Sequence, residues 1–199
     1  MLTHCGTQTL ETPRLLLRRY APEDAPKIFE NWVGCPAVTD KLDWTAHKDV
    51  QVTQRLVDMW AEAYDSSTVY RWCITLNGEP VGDIAVTRWS ESDEWCELGY
   101  CLTERLWNRG LMSEALSTVT EYLLHTVGFY RVGLKHDSLN PASGRVMQKC
   151  GFTFEGTLRG QKKRRDGSHA DICCYSRLRD EDADGDGSGD EETIGNHAF

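Results

Sequence analysis

The segment Trp107-Asn108-Arg109-Gly110-Leu111-Met112 stands between a strand-like run, Trp95 to Leu102, and a run of helical periodicity that begins at Ser113. Residues in that setting suit one kind of chemistry, the gripping of an anion. The first N–H groups of a helix have no intrahelical acceptor, and they gather at the positive end of its dipole. A phosphate group fits such an end, Gly110 lets the backbone approach it closely, and Arg109 adds charge. Taken alone, one glycine before a helix also reads as a plain turn.

Other constellations carry less. Asp182, Asp184, Asp186 and Gly187 match the start of a calcium loop, but Thr193 stands where the bidentate Glu belongs and no amphipathic helix flanks the run. The eight cysteines contain no C-x-x-C pair, so no zinc ribbon and no metal site are expected. Without an export signal they are expected as reduced thiols in a cytoplasmic protein, with Cys73, Cys96, Cys101 and Cys173 packed as small hydrophobes. His136 and Asp137 are neighbours on a strand and point to opposite faces, which favours a structural role over a catalytic pair. Lys162-Lys163-Arg164-Arg165 reads as a solvated hairpin tip, with rRNA, an acidic partner or the chain's own acidic end as alternative contacts. A direct nucleic-acid partner is not expected.

The elements that must position these residues follow from hydrophobic period. Strands are expected over Arg14 to Tyr20, Tyr70 to Leu76, Pro80 to Trp89, Trp95 to Leu102 and Arg131 to His136, with a final hairpin of Thr153 to Leu158 and Ala170 to Leu178. Asn77-Gly78 marks a tight turn between the second and third of these. Helices are expected over Ala25 to Val33, about 47–64, Ser113 to about Thr126, and Asn140 to Cys150, the last stopped by Gly151. The order implies a mixed α+β sheet with helices on its faces. No apolar run is long enough to cross a membrane.

The chain has 199 residues and a net charge of −9. That charge would argue against an anionic ligand, but it is not evenly spread. Residues 180–199 hold eight acids and no Lys or Arg, which leaves 23 acids against 22 bases in residues 1–179. We expect one domain over 1–179 and an acidic, Gly-rich disordered tail over 180–199.

The phosphate segment, with Glu97-Leu98-Gly99-Tyr100 before it and Asn140-Pro141-Ala142-Ser143 to Lys149-Cys150-Gly151-Phe152 after it, resembles the GNAT acyltransferase superfamily. The similarity is greatest to the branch of ribosomal-protein N-terminal acetyltransferases, and runs from about Thr12 to Arg179. It implies a GNAT fold, with a mostly antiparallel twisted sheet of about seven strands, splayed at the cofactor site and flanked by about four helices. It implies acetyl-coenzyme A as donor and an amine as acceptor, either a protein N-terminal α-amino group or a small amine such as a polyamine or aminoglycoside. A non-catalytic coenzyme A-binding module is a third reading, and the chain is expected as a monomer or homodimer.

The resemblance also implies site residues. Asn108, Arg109, Gly110, Leu111, Met112 and Ser113 would hold the pyrophosphate, although Met112 is bulkier than the family's usual Gly or Ala. A backbone N–H at Cys101 or Leu102 would meet the pantetheine arm or the oxyanion. Glu97 would help to deprotonate the amine, with a salt-bridged strand carboxylate as its plain alternative. Met147 occupies the place of a common proton-donating Tyr. Ser143, four residues earlier on the same helical face, would assist thiol departure instead. Asn140 would contact the cofactor or simply cap the helix. Trp32, Trp44 and Trp89 lie in segments that would surround an acceptor groove.

Overall fold

The alternating runs form one eight-stranded sheet in the order β1-β2-β3-β4-β5-β6-β8-β7. In the computed structural model, which describes residues 1–182 apart from Lys41 and Asp43, the strands are β1 (Leu10–Glu11), β2 (Leu15–Arg18), β3 (Arg71–Leu76), β4 (Glu79–Ser90), β5 (Trp95–Leu102), β6 (Arg131–Asp137), β7 (Thr153–Lys163) and β8 (His169–Leu178). Every neighbouring pair is antiparallel except β5 and β6. A parallel pair cannot be closed by a hairpin and needs a crossover helix. That helix is α4 (Leu111–Glu121), prolonged by a wider π-type turn over Tyr122–Val127.

The remaining helices are α1 (Ala25–Ile28), α2 (Pro36–Thr39), α3 (Val50–Ala63) and α5 (Pro141–Lys149). They divide between the two faces of the sheet. α4 and α5 cover one face over a core that includes Trp72, Ile84, Leu98, Leu116, Leu134 and Met147. α1 and α3 cover the other, over Tyr20, Ile28, Trp32, Val57, Cys73 and Cys101. Among the described residues, the five helices and eight strands exceed the expected numbers by one each. The additional strand, β1, is a two-residue bridge that pairs Leu10 with Leu17, too short to show a period.

Two boundaries differ from expectation for physical reasons. The last hairpin extends to Lys163 on one strand and begins at His169 on the other. β7 is an edge strand exposed along nearly its whole length, and its register shifts at Phe154/Gly156 and Leu158/Lys162, so no alternation marks it. The helix expected over Ala25 to Val33 is α1 followed by a π-type turn over Phe29–Val33, which keeps Trp32 and Val33 buried. Asn77 and Gly78 both adopt positive φ, 51° and 82°, as a tight hairpin turn requires. Arg179–Asp182 ends the described chain in a short turn; the rest of the acidic tail and of the calcium-loop match lies outside the described residues.

No described helix is long and apolar enough to cross a membrane. All eight cysteines are free thiols, and four of them (Cys73, Cys96, Cys101 and Cys150) are buried. Among the described residues no group of His, Cys, Asp and Glu could hold a metal ion.

Candidate active site

β5 and β6 pair at only three positions, Trp95↔Arg131, Cys96↔Val132 and Glu97↔Gly133. β5 then continues to Leu102 and β6 to Asp137 without facing each other, so the sheet opens as a V with Glu97 at its vertex. The opened edge of β5 carries unshared backbone groups. Thr103 N–H bonds to the Val81 carbonyl at 2.8 Å, which fixes the alternation along the strand. Cys101 and Gly99 turn their backbone groups to β4, while Tyr100 and Leu102 turn theirs into the opening. The Leu102 carbonyl is taken by the indole N–H of Trp107 at 2.8 Å. Of the two candidate donors, Leu102 therefore faces the opening. The Cys101 side chain lies in the α1/α3 core, where burial pushes its thiol pKa up.

The wide end of the V meets the start of α4. Gly110 caps this helix in the left-handed region with φ +76°, and Asn108 is left-handed as well, φ 61°. The first intrahelical bond runs from Glu114 N–H to the Gly110 carbonyl at 3.0 Å. The N–H groups of Leu111, Met112 and Ser113 precede it and have no acceptor within the helix. Leu111 and Met112 are buried in the core, so the bulk of Met112 points away from the loop's donor surface.

Sequence reasoning missed what braces this loop. Arg14, at the entry to β2, donates to the Arg109 carbonyl at 3.0 Å and lies 3.6 Å from where a Gly110 Cβ would stand. Its guanidinium and backbone N–H also bond to Glu114, as does the Thr12 hydroxyl. Burial raises the proton affinity of Glu114, but the hydrogen bonds from Thr12 and Arg14 outweigh it and hold its pKa below the usual carboxylate value. About 95 residues separate Arg14 from the loop. No local pattern reveals such a contact.

α5 roofs the V from the α4 side. Ser143, in its first turn, is held across the opening by Tyr100, whose hydroxyl lies 2.9 Å from Ser143 Oγ and 3.1 Å from the Ser143 carbonyl. Tyr100 was not singled out from the sequence, because its partner comes from another element. Met147 is fully buried. Asn140 begins α5 without a side-chain capping bond, so the plain capping role is not observed and its amide remains available. His136 lies beneath the helix on β6. Its Nδ1 bonds to the Asp137 carbonyl at 2.8 Å, and its buried Nε2 has no partner. A Cβ at residue 144 would stand 2.6 Å from that Nε2, which explains a glycine inside a helix, where it costs about 1 kcal/mol relative to Ala.

The other face of the V carries a cluster of charged side chains. Glu97 bonds to Arg88 at 2.9 Å and to Lys135 at 2.5 Å. The three border a cleft of about 290 Å3 that also reaches Gly133, Glu155 and Cys174. The salt-bridged reading of Glu97 describes its contacts. Toward α1 and α3 the face is built on Asp83, which accepts from Tyr20 at 2.7 Å and from Arg71 at 2.8 Å. Arg71 in turn lies 4.2 Å from the Trp60 ring centre. This network ties β3 to β4 beneath α1 and α3.

Of the three tryptophans considered for an acceptor groove, Trp32 is core and Trp89 packs on His4 on the opposite face at a centroid distance of 4.7 Å. Trp44 is half-buried against the α1/α3 core. There Arg165, from the last hairpin, reaches the Thr39 carbonyl at 3.3 Å, the Asp40 carboxylate at 3.2 Å and the Trp44 carbonyl. Arg164 is committed to Asp137 at 2.7 Å. Arg164 and Arg165 of the basic run therefore clasp the structure itself.

This architecture has counterparts among known proteins. The chain is 29% identical over 172 residues to the uncharacterized N-acetyltransferase YoaA of Bacillus subtilis, covering 85% of this chain and 96% of that one. It is 28% identical over 102 residues to a ribosomal-protein-serine acetyltransferase of Escherichia coli, covering 51% and 56% of the two chains. Its fold matches that of RimL, an alpha-N-protein acetyltransferase solved with coenzyme A, with a TM-score of 0.78 at 20% identity over 86% of this chain and 98% of that one. The self-immunity acetyltransferase MccE, solved with acetyl-CoA and AMP, matches with a TM-score of 0.77 at 16% identity over 89% and 98%. Residues 14–153, which include the V, the capped start of α4 and the whole of α5, match the Acetyltransferase (GNAT) domain, and the chain belongs to that family of acetyltransferases.

Proposed function

We propose that this acetyltransferase moves the acetyl group of acetyl-CoA to a protein N-terminal α-amino group by direct attack, in the cytoplasm. The observation that carries this reading is the parting of β5 from β6 directly before a helix capped by a left-handed glycine. The residues fit the donor. Leu111, Met112 and Ser113 offer three helix-start N–H groups to a pyrophosphate, with no Cβ on Gly110 to obstruct it and with Arg109 alongside. Leu102 and Tyr100 offer strand N–H groups to an extended amide-bearing arm and to the charge that develops on an acyl oxygen. Bound acetyl-CoA supplies an acyl carbon activated as a thioester.

The acceptor must arrive as a free amine, since an ammonium has no lone pair. Arg88 and Lys135 border the cleft beside Glu97, and two cations disfavour a third at the same place. Glu97 receives the amine's proton, directly or through water. Ser143 donates a hydrogen bond to the departing sulfur, whose thiol has an ordinary pKa of about 8.5 and leaves well as an anion. The free thiols, four of them buried, agree with a reducing compartment.

The Arg165 clasp favours a second reading. It ties the last hairpin to the end of α2, which would leave less room for a folded protein than for a small amine such as a polyamine or aminoglycoside. A screen of coenzyme A release separates the two, using peptides with several N-terminal residues, their N-blocked forms, and small amines. The α-amino reading predicts turnover of free peptides and none of blocked ones. Turnover of polyamines or aminoglycosides alone would replace it with the second.

A further inference from the structure

We infer that Arg14 orients the Arg109–Gly110 peptide, holding its carbonyl away from the cofactor so that the Gly110 N–H joins the pyrophosphate donors. The inference rests on the start of α4 being the pyrophosphate site. It begins from the freedom of that turn. Gly110 sits at φ +76°, and a glycine reaches the opposite sign of φ about as readily. A flip of the preceding peptide is therefore open to it. Such a flip exchanges the places of the Arg109 carbonyl and the Gly110 N–H. One orientation offers a donor to an anion; the other aims a carbonyl oxygen at it.

Arg14 decides between the two. Its Nη1 lies 3.0 Å from the Arg109 carbonyl. A guanidinium only donates and a carbonyl only accepts, so the direction of this bond is settled. The peptide is trans, and its N–H points opposite to its carbonyl. With the carbonyl turned to Arg14, the Gly110 N–H is turned away from it. That N–H makes no hydrogen bond among the described residues. The next peptide is pinned as well, because the Gly110 carbonyl accepts from the Glu114 N–H at 3.0 Å.

Arg14 is itself held in place. Its Nε and Nη2 both meet Glu114 Oε2 at 2.6 Å, and its backbone N–H meets Glu114 Oε1 at 2.9 Å. The Thr12 hydroxyl donates to the same Oε1. The guanidinium charge is thus paired with Glu114, so Arg14 acts on the ligand through geometry rather than through charge. The contacts form a closed circuit around one turn. Glu114 fixes Arg14, Arg14 fixes the carbonyl of residue 109, and the Glu114 N–H fixes the carbonyl of residue 110. A bond from β2 therefore selects one conformation of a glycine whose own freedom allows two.

The test uses Arg14→Met in the full chain, which keeps most of the stem and removes the donors. Two readouts are compared. The first is the affinity for coenzyme A beside that for pantetheine, which lacks the pyrophosphate, both followed by NMR titration into the millimolar range. The second is the Gly110 amide resonance as coenzyme A is added. In the intact chain that resonance should move downfield, as an N–H does when it donates to a phosphate. Arg14→Met should abolish the movement and weaken coenzyme A by about 10-fold, the scale of one lost hydrogen bond to a charged group, with pantetheine changed by less than about 2-fold. Arg14→Lys keeps the pair with Glu114 but lacks the fork that also reaches the carbonyl, so it should behave alike, and it carries the comparison if the Met variant does not fold. Equal losses for the two ligands would show a merely structural Arg14 and overturn the inference, as would a variant that keeps the coenzyme A advantage or the Gly110 movement. If the intact chain binds coenzyme A no more tightly than pantetheine, the pyrophosphate reading of the α4 start falls first, and the inference with it.

Discussion

Replacing Gly110 by Val is expected to weaken acetyl-CoA binding by about 10- to 100-fold while the chain stays folded. The residue adopts φ +76°, in the left-handed region. A β-branched side chain held there costs about 1–3 kcal/mol, so the loop relaxes to a different backbone and its donors turn away. Relaxation is local because Leu111 and Met112 remain anchored in the core. The new Cβ also stands 3.6 Å from Arg14, so further methyl groups crowd the guanidinium that braces the loop. Titration calorimetry with acetyl-CoA, beside thermal unfolding, checks this. Unchanged affinity in a folded variant would remove the α4 start from the binding site.

Glu97→Gln is expected to lower kcat by about 100-fold, at the lower end of what a positioned acid or base contributes. Gln has the same shape and still accepts from Arg88 and Lys135, so the vertex should keep its geometry. What is lost is the carboxylate proposed to take the amine's proton. The acceptor must then lose that proton to solvent, and the activity profile moves toward higher pH. KM for acetyl-CoA should change little, because Glu97 lies at the opposite end of β5 from the pyrophosphate loop. Rate measurements across pH decide the matter. A profile that keeps its position would leave Glu97 as a purely structural member of an Arg88–Glu97–Lys135 cluster.

Much of this architecture was legible in the sequence because period and turn chemistry are local. The Asn77-Gly78 hairpin, the Trp95 to Leu102 strand, the glycine that opens α4 and the Gly151 that closes α5 each follow from a few adjacent residues. The edge strand β7 was read too short because both its faces meet solvent and its ladder is bulged. The candidate site divides along the same line. Glu97, Ser143 and residues 108–113 stand on elements that meet at the V. Their supports were invisible because each comes from elsewhere in the chain: Arg14 for the loop, Tyr100 for Ser143, Lys135 for Glu97. Even the Gly144 signal is readable only in retrospect, since nothing adjacent in sequence says that an imidazole occupies the place of its side chain.

The charge distribution needed the same partition. An acidic chain overall is a poor host for a pyrophosphate, yet residues 1–179 are near neutral and the start of α4 carries Arg109, while the Arg14 charge is paired with Glu114. The ligand meets that local field before it meets the net charge.

A crystal structure of this chain with coenzyme A bound tests the reaction site most directly. The pyrophosphate should rest on the N–H groups of residues 108–113, the pantetheine arm should lie along the open edge of β5 with Leu102 N–H among its donors, and the sulfur should sit within hydrogen-bond reach of Ser143 Oγ and face the Glu97 cleft. Coenzyme A bound outside the β5–β6 opening, or with its sulfur directed away from both Ser143 and Glu97, would contradict the assignment.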